Sequence, residues 1–513
     1  VLAGGIFILE SGESSKSLNK DKGNRVQTKA CDITRKQGAA HQRSCFYFLV
    51  THMNKPLLTN LMNTNLSSKL LVACKVTTVD EIIGADVDND SLILHICSRP
   101  SKKKPRTLRS ITLSSDQVQN QLGVASANVA ALLTKQRRKM LIIINPVSGK
   151  KKGVQLWQRC LPILQAANID CVEIITTGTA HATQVIRDLS SMEMASYDGV
   201  VAVGGDGILF EVVEGFMQRD DWLTQIKSMP VAIVPAGSGN GLALSVLHRK
   251  NETRDVESMA YLIARGEVSP MDLCSVESPS KKTFSFLSTE WALASDIDIT
   301  SEKYRCCGDF RFTCRGIELV FCDGCVRKYT GTLHYLPVEN DASSHNHGGS
   351  DIETGGSKEI EEKNGVDTSD VAAEQTTSLH DMRTLLPPID QTIGTEHHAL
   401  GWKTLEGNDW QYFIAMQTTH QAADMFGAPG SELDDGTIML CYGKNVSCAP
   451  CTMTSWLCNM ENGEHLEMKD CQTLKVKAFR LEAAGGIIAV DGERVPLEPI
   501  QVEVHPSLMR IFS

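Results

Sequence analysis

Three glycine-rich loops, each directly after a run of apolar residues, constrain the fold of this chain more than any other feature. They read NPVSGKKKG at 145–153, GGDG at 204–207 and PAGSGNG at 235–241. Apolar residues at helical spacing lie between them, and alternating strands and helices predict an α/β structure around a mostly parallel sheet. Because ligands bind beyond the carboxyl ends of the strands in such sheets, we expect the three loops to converge on one crevice.

The composition of these loops indicates phosphate binding. Glycines let the backbone approach a phosphate closely, and the helix after each loop directs free N–H groups at the anion. Neither common nucleotide fingerprint is present, since Gly-x-x-x-x-Gly-Lys-Ser/Thr and Gly-x-Gly-x-x-Gly with a following ribose-binding acid are both absent. Asp206 is the distinctive residue, because a carboxylate beside a phosphate site can act as a base or hold Mg²⁺. Its structural alternative is a cap for the helix that begins near Gly207.

The pattern changes after about residue 272 to short, Thr- and Ser-rich strands, which predict an antiparallel β-sandwich. The predicted fold class is therefore α/β plus β, with a Rossmann-like α/β domain at 139–272 and a β-sandwich at 273–338 and 401–513. A small β-rich N-terminal module with a lead-in helix is expected at 65–138, where 70–73 and 91–96 look strand-like. Residues 1–64 are polar and expected to be disordered.

The segment 339–400 is predicted to be a disordered acidic insertion. The chain carries 51 basic and 61 acidic residues, a net charge of −10. Residues 339–399 hold 13 acidic and 3 basic residues and thus account for the whole imbalance. Such a segment cannot bury enough apolar surface to offset the entropy of ordering. The charge balance also argues against a general nucleic-acid binder.

Cysteine usage and hydropathy indicate the cellular setting. Seventeen cysteines without a regular framework favour the reduced thiols of a cytoplasmic enzyme. The pairs Cys322/Cys325 and Cys448/Cys451 each have the spacing of half a zinc site, but no histidine accompanies them, and we predict no metal-ligating residues. No apolar run approaches the ~18 residues of a membrane-spanning helix. Contact with membranes is therefore expected to be peripheral.

Several motifs resemble one enzyme superfamily. GGDG followed by Glu211, and PAGSGN at 235–240, resemble the diacylglycerol kinase catalytic domain. STEWALASDID at 288–298 and SEKYRCCGDFRFT at 301–313 are similar to the substrate segment of the sphingosine kinase family, and the closing motifs near 478–482, 490–493 and 504–506 are similar too. The resemblance covers about 140–337 and 408–513. The block from Asp-x-Asp to Arg-Phe-Thr is its most specific part.

The resemblance implies ATP- and Mg²⁺-dependent phosphorylation of the primary hydroxyl of a sphingoid base lipid, with the α/β domain binding nucleotide and the β-sandwich binding lipid. Asp206 matches the catalytic base. The positions that match the nucleotide site are Asn145, Pro146, Ser148, Gly149, Thr176, Gly205, Glu211, Gly237, Ser238, Gly239, Arg305, Arg311, Asp491, Gly492 and Glu493. The positions that match the lipid site are Asp298, Ser288, Met425 and His465.

Asp298 matches the acid that receives the cationic 2-amino group of the lipid. We place Asp296 and Asp298 on a strand, with Asp296 pointing to the opposite face, and expect only one of the two carboxylates to reach the head group. Val147, Thr177, Glu290 and the small residues at 292–294 depart from the family pattern and leave chain-length and head-group preference open.

The alternatives are a ceramide or diacylglycerol kinase, an NAD kinase, and a catalytically inactive lipid-binding relative. A neutral lipid would leave the carboxylate of Asp298 without a cationic partner. NAD kinases share the Gly-Gly-Asp-Gly loop but lack the block from Asp298 to Arg311.

Overall fold

The computed structural model describes residues 70, 72–76, 78–122, 125–304, 311–321, 327–338, 385–447 and 449–513. The predicted disordered regions at 1–64 and 339–384 lie outside these residues. So do Arg305 and the cysteines Cys322, Cys325 and Cys448.

A three-stranded antiparallel sheet comes first in the described chain. Its strands, in the order β1-β2-β3, are β1 (Ile82–Asp88), β2 (Ser91–Ser98) and β3 (Thr107–Leu113). Helices α1 (Ser115–Leu122) and α2 (Ser126–Leu133) follow. A buried ion pair of 2.6 Å between Arg106 and Glu252 ties this sheet to the α/β part. The prediction of a strand at 70–73 is wrong, because residues 72–74 are helical.

The α/β part contains a parallel sheet in the order β7-β6-β4-β5. Its strands are β4 (Arg138–Ile144), β5 (Ile169–Ile175), β6 (Gly199–Gly204) and β7 (Val231–Pro235). The connecting helices are α3 (Ser148–Lys151), α4 (Gly153–Ala166), α5 (His181–Asp188), α6 (Ser191–Met194), α7 (Asp206–Met217), α8 (Trp222–Ser228), α9 (Gly241–Arg249) and α10 (Val256–Arg265). Residues of β4, β6 and β7 are almost fully buried, as is typical of parallel strands covered by helices.

The remaining strands are mainly antiparallel. They are β8 (Val268–Glu277), β9 (Lys282–Ser285), β10 (Ser288–Ala292), β11 (Tyr329–Pro337), β12 (Lys403–Met416), β13 (Ile438–Lys444), β14 (Gln472–Ala483), β15 (Ile488–Val490), β16 (Glu493–Val495) and β17 (Ile500–Phe512). The helices among them are α11 (Leu293–Thr300), α12 (Arg311–Phe321), α13 (Thr395–Ala399) and α14 (Ala449–Asn459). No helix in the described ranges is long and apolar enough to cross a bilayer.

The α/β and antiparallel parts share one 14-stranded sheet rather than forming two separate sheets. Strand β17 pairs antiparallel with β8 and β14, and its Ile511 pairs in parallel with Val231 of β7. Strand β8 crosses the predicted domain boundary at 272. This continuity covers the edge of β7, which would otherwise present unpaired backbone groups.

The prediction of disorder does not hold for residues 385–400. Leu386 and Ile393 are buried against Trp402. The guanidinium of Arg480 donates hydrogen bonds to the carbonyl oxygens of Pro387 and Pro388, at 3.2 and 3.1 Å. A few apolar residues and satisfied carbonyl groups are thus enough to order the end of a polar segment.

Candidate active site

One cavity of about 1010 Å³ lies where the glycine-rich loops meet the antiparallel strands. Its glycine-rich part includes residues from all three loops: Asn145, Ser148, Gly149, Gly205, Asp206, Gly207, Gly237, Ser238 and Gly239. Its apolar part consists of residues that share one hydrophobic cluster: Ala294, Ile297, Phe312, Met425, Trp456 and Leu457. The cavity therefore joins a surface suited to phosphate with a surface suited to hydrocarbon.

The glycine-rich loops contact one another backbone to backbone. A Cβ on Gly237 would lie 2.3 Å from the Cα of Gly205. A Cβ on Gly149, whose φ is +55°, would lie 2.4 Å from the carbonyl oxygen of Ala236. A side chain at either position would push the loops apart. A Cβ on Gly239, in contrast, would meet nothing closer than 3.7 Å.

Asp206 is the first residue of α7, and its buried carboxylate caps a different helix. Its Oδ2 accepts a hydrogen bond from the N–H of Gly241 at 2.7 Å, and its Oδ1 accepts one from Leu242 at 3.2 Å. Both N–H groups belong to the first turn of α9. The N-cap residue of α9, Asn240, instead binds the backbone of Gly237 with its side chain. The alternative that Asp206 caps its own helix is therefore wrong.

The environment of Asp206 changes its proton affinity. Burial raises the pKa of Asp206 to about 7, the hydrogen bonds from Gly241 and Leu242 oppose this rise, and the charge of Asp491 adds to it. A general base works best when its pKa lies near the operating pH. The carboxylate is thus held in place by α9 and poised to exchange a proton near neutrality.

Asp491 lines the cavity, yet its carboxylate accepts hydrogen bonds from the turn between β9 and β10. Its Oδ1 accepts hydrogen bonds from the hydroxyl of Ser285 at 2.7 Å and from the N–H groups of Leu287 and Ser288 at 3.0 and 2.9 Å. Its Oδ2 accepts one from the N–H of Phe286 at 3.0 Å. Burial raises the pKa of Asp491 to about 6 against these hydrogen bonds. The side chain therefore shapes the cavity wall by fixing this turn.

Glu211 on α7 caps a helix in the same way as Asp206. It lines the cavity, and its Oε2 accepts a hydrogen bond of 3.1 Å from the N–H of Ala182 in the first turn of α5. Carboxylates of the protein thus occupy two helix starts beside the cavity, and at one of them, the start of α9 after the third glycine-rich loop, free N–H groups were expected to face an anion.

Asp298 lies on helix α11, so the prediction of a strand is wrong. The expectation that Asp296 points to the opposite face of a strand is wrong too, since residues two apart on a strand share a face. In a helix, residues two apart point in directions about 200° apart. Asp298 accordingly lines the cavity, and Asp296 does not. The carboxylate of Asp296 instead accepts a hydrogen bond from the hydroxyl of Tyr329. The helix allows only one of the two carboxylates to reach a ligand.

The charge on Asp298 is poorly compensated. Burial raises the pKa of Asp298 to about 7, Arg311 opposes this, and Glu302, Glu493 and Asp206 add to it. The Nη2 of Arg311 lies 4.0 Å from Asp298, while its Nη1 donates to Glu302. A cationic ligand group would therefore gain more here than in water.

Glu290 is a further buried carboxyl group in the cavity wall. Its Oε1 accepts hydrogen bonds from Ser288 Oγ at 3.0 Å and from Gln421 Nε2 at 2.6 Å. Burial, followed by the charge of Asp298, raises the pKa of Glu290 well above its ordinary range. Gln421 lines the cavity as well. The sequence did not indicate Gln421 as a site residue, because its partner Glu290 lies 131 positions away and no local motif surrounds Gln421.

His465 is buried behind the apolar part and does not line the cavity. Its ring centroid lies 6.3 Å from that of Trp456, and its Nε2 contacts the carbonyl oxygen of Gly427 at 3.0 Å. Burial lowers the pKa of His465 to about 4. A neutral ring that donates to Gly427 fits this position, and His465 supports Trp456 rather than meeting a ligand.

Comparison with known proteins identifies the family. Residues 139–276 match the family described as the diacylglycerol kinase catalytic domain. Sphingosine kinase 1 of Homo sapiens is 32% identical over 387 residues, which cover 73% of this chain and 91% of that protein. The chain belongs to the sphingosine kinase family. Sphingoid long chain base kinase 4 of Schizosaccharomyces pombe is 28% identical, over 83% of this chain and 84% of that protein.

Among solved structures, a diacylglycerol kinase from Bacillus anthracis covers 74% of this chain and 96% of its own, with 15% identity and a TM-score of 0.48.

Most positions implied by the sphingosine kinase resemblance line this same cavity. Those that do are Asn145, Ser148, Gly149, Gly205, Asp206, Glu211, Gly237, Ser238, Gly239, Ser288, Asp298, Arg311, Met425, Asp491, Gly492 and Glu493. Pro146, Thr176 and His465 do not. Thr176 is buried at the end of β5, where its N–H donates to the carbonyl of Ile144 at 2.8 Å.

The cavity also contains basic residues that the motifs did not single out. Lys151 and Arg494 line it together with Arg311. Lys151 lies within the first glycine-rich loop, and Arg494 directly follows the 491–493 motif. Extending that motif by one residue would have found Arg494.

Proposed function

We propose that this chain transfers the γ-phosphate of ATP to the primary hydroxyl of sphingosine or a related sphingoid base, giving the base 1-phosphate. One observation carries the proposal: Asp206 and Asp298 line the same cavity as the glycine-rich loops and the apolar cluster. Such a cavity offers separate surfaces for phosphates, a cationic head group and a hydrocarbon chain. The relatives named sphingosine kinase support the same assignment.

The glycine-rich part is where the nucleotide phosphates would bind. Packing within the protein does not require glycine at position 239, since a Cβ would have room there. A ligand that approaches the backbone closely gives a reason for glycine at this position. Lys151, Arg311 and Arg494 bring positive charge to the same cavity. These features fit a triphosphate.

Mg²⁺ fits this site as a partner of the nucleotide rather than as an independently bound ion. The described residues contain no group of three or more His, Cys, Asp or Glu side chains placed to hold a metal. Mg²⁺ commonly binds through one or two carboxylates and substrate phosphates. Glu493 lies next to the second loop, with Oε1 3.7 Å from a Cβ built on Gly207, and would hold the ion together with the nucleotide phosphates. Bound there, Mg²⁺ would neutralise charge on the transferring phosphate.

Asp206 would act as the general base. Its carboxylate would accept the proton of the lipid hydroxyl as the hydroxyl oxygen bonds to the γ-phosphorus and ADP leaves. The N–H groups of Gly241 and Leu242 fix the orientation of the carboxylate before the substrate arrives. A pKa of about 7 leaves a substantial fraction of Asp206 ionised at neutral pH.

The lipid would bind with its amino group at Asp298 and its chain in the apolar part. A primary ammonium group would give the carboxylate of Asp298 a positively charged partner. Within the protein, the guanidinium of Arg311 is 4.0 Å away and is bound to Glu302. A neutral head group, as in ceramide or diacylglycerol, would leave the carboxylate of Asp298 without a cation. Burial of this carboxylate therefore favours a free base over a neutral lipid.

The test is transfer of labelled γ-phosphate from ATP to sphingosine, sphinganine, ceramide, diacylglycerol and NAD in parallel, with Asp206→Asn as the control. We expect the free bases alone to be phosphorylated and the variant to lose activity by orders of magnitude. Phosphorylation of ceramide or diacylglycerol instead would overturn the role of Asp298. No transfer to any acceptor would favour the inactive lipid-binding alternative. Cytoplasmic location and peripheral membrane contact stay predictions.

A further inference from the structure

A buried polar pair lies in the wall of the cavity and has no part in the phosphoryl transfer described above. The side chains of Gln421 and Glu290 are only 7% and 5% exposed, and both residues line the cavity. The Nε2 of Gln421 donates a hydrogen bond of 2.6 Å to Oε1 of Glu290. Ser288 Oγ donates to the same oxygen at 3.0 Å. The amide is thus held in one orientation.

The second polar atom of this amide has no partner. Oε1 of Gln421 is buried and accepts no hydrogen bond from any described residue. An amide oxygen that is removed from water and left unpaired is unfavourable, and most buried polar atoms in proteins avoid this state. Because Gln421 lines the cavity, a ligand can supply the missing donor.

The pair lies where the polar and apolar parts of the cavity meet. Glu290 is on β10, two residues from Ser288, and the charge of Asp298 acts on it. The backbone N–H of Gln421 donates to the carbonyl of Met425 at 3.0 Å, and Met425 belongs to the apolar part. A lipid held by its amino group at Asp298 would therefore pass the amide of Gln421 with the first carbons of its chain.

We propose that Gln421, oriented by Glu290, is a specificity-determining residue that recognises a hydroxyl group on the lipid chain close to the head group. The proposal rests on the proposed function and predicts that sphingoid bases hydroxylated at carbon 4 are the preferred substrates. The chain hydroxyl would donate its hydrogen to Oε1 of Gln421. A base with a methylene group at that carbon leaves the oxygen unpaired, and such sites discriminate against analogues that lack the hydroxyl.

The experiment compares sphinganine with 4-hydroxysphinganine, which differ only by this hydroxyl. The measured quantity is the ratio of kcat/KM for the two bases with the full-length chain. For the wild-type protein we expect a preference for the hydroxylated base of about tenfold, and for Gln421→Leu a ratio near one. Both substrates are measured on one preparation, so any inactive fraction of a poorly folding variant cancels from the ratio.

Two further substitutions separate recognition from general packing. Gln417 is a buried glutamine on the same segment whose Oε1 is also unpaired, but it does not line the cavity, so Gln417→Leu should keep the wild-type ratio. Glu290→Gln retains an acceptor for Nε2 of Gln421 and should keep most of the preference. Glu290→Ala releases the amide and should lose it. That contrast assigns Glu290 a positioning role.

The outcomes are distinct from those of the proposed function. A wild-type protein that phosphorylates both bases equally, or prefers sphinganine, overturns the role of Gln421 and leaves the sphingoid base kinase intact. An unchanged ratio in Gln421→Leu does the same. Phosphorylation of diacylglycerol with neither base accepted overturns both proposals. A preference that disappears in Gln421→Leu and Glu290→Ala but persists in Gln417→Leu supports this inference.

Discussion

The carboxylate of Asp206 accepts a 2.7 Å hydrogen bond from the backbone N–H of Gly241, so the first residue of α7 caps the start of α9. The second and third glycine-rich loops are also joined directly, since the N–H of Asp206 donates to the carbonyl of Gly239 at 3.1 Å. Asp206 therefore both carries the proposed base and helps to hold the second and third loops together. Substitutions at Asp206 need a readout of folding as well as of activity.

The pH dependence of the reaction follows from the raised pKa of Asp206. Its pKa of about 7 predicts that kcat/KM increases as pH rises from about 6 to 8, because only the ionised carboxylate accepts a proton. A steady-state profile between these values, with circular dichroism to monitor the fold, tests this. A flat profile would remove Asp206 as the titrating base.

The same pKa has a consequence for stability. A carboxyl group with a folded-state pKa above its unfolded value stabilises the fold at low pH, and this contribution is lost as pH rises through about 7. Asp206→Asn cannot ionise, so its melting temperature should decrease less than that of the wild-type protein between pH 5 and pH 8. If the melting temperatures of the two proteins changed with pH by the same amount, the raised pKa of Asp206 would be contradicted.

Asp298→Asn should raise the apparent KM for sphingosine about tenfold or more, since a charge-assisted contact with the ammonium group is lost. The KM for ATP should barely change. Asp296→Asn is the matched control, because Asp296 lies on the same helix but binds Tyr329 and does not line the cavity. Equal effects of Asp298→Asn on both substrates would contradict the head-group role.

Two glycine substitutions distinguish packing from ligand contact. Gly237→Ala places a Cβ 2.3 Å from Gly205 Cα and should destabilise the protein by about 1–3 kcal/mol. Gly239→Ala meets no atom closer than 3.7 Å, so it should keep its stability within about 0.5 kcal/mol yet raise the KM for ATP. Urea unfolding measures the stability of each variant, and steady-state kinetics measure its KM for ATP. Normal ATP kinetics in Gly239→Ala would show that the nucleotide does not approach this backbone.

Asp491→Ala should destabilise the fold by about 2–4 kcal/mol, because three buried N–H groups and the Ser285 hydroxyl lose their acceptor. Its backbone φ of +49° adds to the cost, since alanine tolerates this region less well than aspartate. Asp491→Asn, which retains one acceptor oxygen, should lie between alanine and the wild type. Wild-type stability in Asp491→Ala would contradict the structural role of this turn.

Local patterns predicted the α/β part well. The apolar run at 141–144 lies within β4, and the runs at 199–203 and 231–234 lie within β6 and β7. Correct strands also gave the correct placement of the loops after them, because the carboxyl ends of parallel strands lie at one edge of a sheet. Where local preference and packing disagreed, the prediction failed. Residues 293–300 contain β-branched side chains typical of strands, yet they form α11, in which Ile297 joins a hydrophobic cluster.

The sequence by itself determined that glycine-rich loops follow apolar strands, that a carboxylate lies within one loop, and that the substrate segment resembles that of sphingosine kinases. Each of these features is contained in a short stretch of chain. Tertiary structure alone decided that Asp206 caps α9, 35 positions away, and that Gln421 meets Glu290 across 131 positions. Contacts between distant residues depend on how strands pair and helices pack, and a buried, unpaired polar atom becomes visible only when those contacts are known.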